Sequence, residues 1–70
     1  MTDLRAPALR RLATRCRAFA FPTSAAMLEV LASDIDGAHE ARRCRVELLA
    51  AHGPEPLRAV MLDAVRALGD

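Results

Sequence analysis

The stretch PLRAVMLDAVRAL, residues 56–68, decides the fold class. Its apolar residues Leu57, Val60, Met61, Ala64, Val65 and Leu68 recur at intervals of three and four. At about 100° per residue they share one face of an α-helix. Arg58, Asp63 and Arg66 fall elsewhere on the surface. Glu55 stands before the helix, where the positive end of the dipole favours an acid. Gly69 supplies the stop. Leu62 lies off the stripe and is expected to be exposed.

The same period can be followed back along the chain. A third helix is expected over residues 37–52, capped by Asp34 or Asp36 and ended by Gly53 and Pro54. Its expected inner stripe is Ala38, Ala41, Arg45, Leu48, Leu49 and His52. Arg45 interrupts that stripe, which calls for an acid within the chain or on a partner. Glu40 with Arg43, and Arg43 with Glu47, are favourable pairs on the outer face. A second helix is expected over residues 24–33, capped by Thr23 or Ser24. It is apolar nearly all round, with only Glu29 strongly polar. In a small domain such a helix has too few neighbours to cover it, which points to a partner surface near Met27, Leu28, Val30 or Leu31. A first helix is expected over residues 7–21, with Pro7 in its first turn and Pro22 as its stop. Leu9, Leu12, Ala13, Cys16, Phe19 and Ala20 form its inner face, with Arg10, Arg11, Arg15 and Arg17 on the other.

Seventy residues form a single domain, 1–70. The expected fold is all-α, a small bundle of three or four short helices. Alanine and leucine dominate and β-branched residues are few, which suits helices. A chain this short buries only about 60% of its unfolded surface, so a partner would help it. Every basic residue except the histidines is arginine, in keeping with a GC-rich bacterial genome. The formal net charge of +1 argues against generic polyanion binding. The charge is uneven, however. A basic first segment precedes an acidic second one, which suits either internal complementarity or two binding faces. No apolar run approaches the ~20 residues of a membrane span, and no secretory leader is legible. The expectation is a cytoplasmic protein with reduced thiols.

The densest chemistry lies at SDIDGAHEARRCR, residues 33–45. Asp34, Asp36, His39 and Glu40 are metal-ligand types, but acids at a helix start serve as caps. No HExxH, paired CxxC or twelve-residue calcium loop accompanies them. No metal is expected. Cys16 and Cys44 can be placed with His39 or His52 around zinc; a small buried hydrophobe is the better reading of Cys16, and a structural role that of Cys44. A nucleophile needs a positioned base and an orienting third group. None can be named, so no catalytic residue and no cofactor are expected. Helices joined near residues 34–37 have helix-turn-helix length, with Arg42, Arg43 and Arg45 on the second. The acids at that helix's N-terminus would repel phosphates, so nucleic acid is the less favoured partner.

In this order the motifs resemble the small delta subunit of NAD-dependent formate dehydrogenases. The resemblance rests on LRRLATRCRAFAF (9–21), Asp34-Ile35, Glu40-Ala41-Arg42-Arg43, LLAAHG (48–53) and the helix of residues 56–68. The family's aromatic pair and proline at the third-helix start are replaced here by Ala38, His39 and Ala41. The resemblance implies a non-catalytic accessory subunit of a molybdenum- or tungsten-containing enzyme. It would aid assembly or stability and carry no cofactor itself. Glu40 and Arg42 are the candidate contacts it implies.

The resulting expectation is a protein-binding accessory chain whose partners are formate dehydrogenase catalytic subunits. Its contact residues are Met27, Leu31, Glu40, Arg42, Arg45 and Leu62. The alternatives are a helix-turn-helix-like DNA-binding regulator and a homodimeric interaction protein, in which two apolar stripes close on a twofold copy.

Overall fold

The chain forms four helices: α1 (Arg5–Ala18), α2 (Pro22–Ser33), α3 (Glu40–His52) and α4 (Leu57–Leu68). The structure is a computed structural model that describes residues 4–33 and 40–69, leaving aside the side chains of Glu40 and Ala41. The described residues contain no strand, and the all-α expectation holds. The expected caps Asp34 and Asp36, and the start of the third helix at residues 37–39, lie outside the described residues.

The first two boundaries differ from expectation for one reason. Pro22 does not merely stop α1; it opens α2. A proline's fixed φ and missing N–H suit a first helical turn. The Phe21 carbonyl accepts the first bond, from the Ala25 N–H at 3.0 Å. Thr23 and Ser24 therefore lie inside α2 and do not cap it. Helix α1 has already ended at Ala18. The chain reverses through Ala20, at φ +66°, and the Phe21 N–H reaches back to the Cys16 carbonyl at 2.8 Å. This turn leaves Phe19 and Ala20 exposed and packs Phe21 against the core instead. Both residues were expected on the inner face of a longer helix.

The left-handed position at Ala20 is one that glycine usually holds, because a Cβ there crowds the backbone. Ala20→Gly is expected to raise stability by about 0.5–1 kcal/mol, less whatever extra freedom glycine gains in the unfolded chain. Urea unfolding of the two proteins checks this. A clear loss of stability in the glycine variant would mean the turn is not strained.

The principal helix packings are α1 on α2, α1 on α4 and α3 on α4. The two terminal helices thus lie at the centre, with α2 and α3 outside. The core is supplied by Leu9, Leu12, Ala13 and Cys16 from α1, and Ala25, Leu28, Leu31 and Ala32 from α2. Helix α4 adds Leu57, Val60, Met61, Ala64 and Leu68, close to its expected stripe, with Val65 packed at the edge. Accessible surface totals 4431 Å². A compact monomer of 7.6 kDa exposes roughly 4,300 Å², so the chain closes its main core with its own helices.

Helix α3 departs most from its expected packing. Among its described side chains the one fully buried is Val46, at 0% exposure, with Leu49 and Ala50 packed beside it. Residues 46, 49 and 50 follow helical spacing and face α4. The expected stripe through Arg45, Leu48 and His52 has the right period but looks away from the core. Arg45 and His52 are exposed, and Leu48 is 59% exposed. Leu49, also in the expected stripe, does pack against the core, so periodicity identified an amphipathic helix but centred its inner face to one side of the buried one. The helix ends as expected, at Gly53, whose N–H donates to the Leu49 carbonyl at 2.8 Å. A Cβ on Gly53 would lie 2.5 Å from that same oxygen, so the turn needs glycine.

Two ion pairs tie the outer faces of the central layer. Arg15 reaches Asp63 across α1 and α4 at 2.9 Å, and Arg17 pairs with Glu29 across α1 and α2. Arg15 and Arg17 of the basic first helix therefore find acidic partners within the chain. Both pairs are largely exposed, and each is worth about 0–1 kcal/mol, so they guide register more than they stabilise.

Candidate functional site

The outer position of α2 and α3 leaves an open groove of about 900 Å³ between them. The first turns of α2 supply Thr23, Ser24 and Met27. Helix α3 supplies Arg42, Arg45, Leu48, Leu49 and His52, and the chain leaving it adds Gly53 and Pro54. On α3 the spacing 42, 45, 49, 52 is one helical stripe. It is nearly the stripe that sequence periodicity assigned to the core.

The groove has an apolar floor and a cationic edge. Met27 and Leu49 are half-buried, and Leu48 projects from the α3 wall. Among the described residues, no carboxylate lines it. Arg45 has no ion-pair partner among the described residues.

The expected contact residues divide as follows. Met27, Arg42 and Arg45 come together in the groove. Leu62 is 43% exposed on α4 and lies apart from the groove. Leu31 is 1% exposed and belongs to the core of this chain, so it is not a surface contact. The apolar breadth of α2 suggested a partner there because the cover given by α1 could not be read from the sequence; Leu28 is likewise fully buried. The side chain of Glu40 lies outside the described residues. Sequence reasoning missed Leu48 and His52 as groove residues by placing them inward, and missed Thr23 and Ser24 by reading them as caps.

The two cysteines have contrasting surroundings. Cys16 is buried and Cys44 exposed, and neither is in a disulfide. Burial raises the Cys16 thiol above its ordinary value of 9.0, against the smaller opposing pull of the Arg15 and Arg17 charges. No group of three or more histidine, cysteine or acidic residues converges among the described residues. The cluster Asp34, Asp36 and His39 lies outside them.

A prediction follows from the thiols. Maleimide at neutral pH is expected to label Cys44 promptly and Cys16 at least ~100-fold more slowly, since Cys16 reacts only through opening of the fold. The raised folded-state value also fixes a sign. The contribution of Cys16 to stability is complete below pH 9.0 and is lost as pH rises from there through the folded-state value. Mass-mapped labelling of native protein checks the first point. Equal rates at both cysteines would contradict the buried position.

Among the described residues, no helix is long and apolar enough to cross a membrane. Compared with protein-family profiles, with curated proteins and with solved structures, the chain has no match.

Proposed function

We propose that this chain is a non-catalytic helical accessory subunit of the bacterial cytoplasm. It binds a protein partner and aids assembly or stability of an oxidoreductase complex, most specifically a formate dehydrogenase. The observation that carries the binding reading is the groove: an apolar floor at Met27, Leu48 and Leu49 edged by Arg42 and Arg45. Protein interfaces join an apolar centre to arginine in this way. The oxidoreductase assignment is supported by the sequence resemblance. Exposed Leu62 is a second contact in this reading.

The test is co-expression of the tagged chain with the catalytic subunits of a formate dehydrogenase. Stoichiometric co-purification is expected, and it should weaken on Arg42→Glu and Leu62→Asp. A chain that never retains those subunits, yet shifts DNA mobility with steep salt dependence, is the DNA-binding regulator instead. A stable dimer in solution that retains no foreign subunit is the homodimeric alternative.

A further inference from the structure

We propose that the α2–α3 groove receives an acidic amphipathic helix of about three turns from the partner chain. Its apolar face would lie on Met27, Leu48 and Leu49, with its carboxylates toward Arg45 and the α3 edge. This deepens the accessory-subunit reading and rests on it for the existence of a partner.

Length, floor and charge each favour that occupant. From Arg42 to His52 the lining of α3 runs about 15 Å, or about three helical turns. The floor combines leucines with an unbranched methionine, a surface that adapts to aliphatic side chains of several shapes. Helix-in-groove recognition uses anchors at helical spacing, which such a floor accommodates. Arg45 makes the described edge cationic, and the described lining holds no carboxylate. Arg45 also lacks an ion-pair partner among the described residues. A planar guanidinium at the edge of an apolar strip suits a carboxylate that arrives beside leucines.

The charges argue for a foreign chain over a second copy of this one. The described acidic side chains are Glu29, Glu47, Glu55 and Asp63. Glu29 pairs with Arg17, Glu55 with Arg58, and Asp63 with both Arg15 and Arg66. Glu47 sits on α3 itself. On a second copy the described carboxylate without an ion pair is therefore Glu47, and its helix would bring Arg42, Arg43 and Arg45 against the same cationic edge.

The experiment uses the full chain and two synthetic peptides of about 14 residues, enough to span the α3 edge. One carries leucine at helical spacing with glutamate elsewhere; the other has lysine in place of glutamate. Amide chemical shifts of the isotope-labelled protein are followed during titration. The glutamate peptide is expected to shift Met27, Leu48 and Leu49, and the lysine peptide to leave them unmoved. Arg45→Glu should weaken the glutamate peptide at least ~10-fold, and rising salt should weaken it further. Arg45 is exposed, so this variant should keep its fold, as the unperturbed core amides will report. Equal binding of both peptides, no shift at these residues, or indifference to Arg45→Glu overturns the proposal. So does self-association that shifts the same amides without peptide. Peptide binding with failed co-purification sinks the formate dehydrogenase reading alone. Co-purification that survives Arg45→Glu and Leu48→Asp, without peptide binding, sinks the groove inference alone.

Discussion

Leu28→Ala and Met61→Ala are each expected to lower the unfolding free energy by about 2–5 kcal/mol. Both side chains are fully buried and large, Leu28 on α2 and Met61 on α4. Truncation removes their transfer free energy and leaves a cavity that neighbouring helices close only in part. At about 0.05–0.15 kcal/mol per residue, a chain of this length has roughly 4–10 kcal/mol in total. Each substitution therefore takes a large share of the whole. Thermal unfolding followed by circular dichroism should show midpoints lower by about 4–8 °C per kcal/mol lost. The variants also test the architecture. Leu28 holds an outer helix to the centre, whereas Met61 belongs to a central helix that packs on both α1 and α3. A loss below about 1 kcal/mol at either site, in the range of surface substitutions, would place that residue outside the core.

Val46→Asp is expected to have a different and more local outcome. Helix α3 is fastened to α4 largely through this residue, the only fully buried side chain described on α3. An unpaired carboxylate there costs several kcal/mol to bury, more than the remaining contacts of Leu49 and Ala50 can offset. The cheaper response is for α3 to leave the bundle while α1, α2 and α4 keep their shared core. Hydrogen exchange should then show protection lost over residues 42–52 and largely retained at Leu9, Leu28 and Val60. One wall of the groove would go with α3, so peptide binding should disappear even though Arg45 and Leu48 are unchanged. Uniform loss of protection across all helices would show a single cooperative unit instead.

The sequence carried much of this architecture, but unevenly. The stripe of α4 was legible because its apolar residues keep strict helical spacing and its charges sit clear of them. Leu9, Leu12, Ala13 and Cys16 were legible for the same reason. The junction at Phe21-Pro22 was misread because a proline that ends one helix and a proline that begins the next look alike in one dimension. Arg45, Leu48 and His52 were read inward because leucine usually is; alternative faces of an amphipathic helix are separated only by what packs on them. Met27, Arg42 and Arg45 belong to the contact set expected from the sequence, but nothing along the chain showed that these three meet while Leu31 is buried and Leu62 lies apart. That meeting arises because the terminal helices occupy the centre and the middle pair flank them.

This arrangement also has a consequence for the route to the folded state. Helices α1 and α2 are consecutive in the chain and pack together, as are α3 and α4. Each pair is an αα-hairpin whose contacts span little sequence, and such contacts form early and fast. The two hairpins are joined mainly by α1 on α4, a contact between segments as far apart as Arg15 and Asp63. Closing that long loop costs entropy before any burial repays it. The expected transition state is therefore one with both hairpins largely formed and the seam between α1 and α4 only beginning to dry. Conservative substitutions that weaken the α1–α4 seam would then act chiefly on unfolding, while those within a hairpin would slow folding.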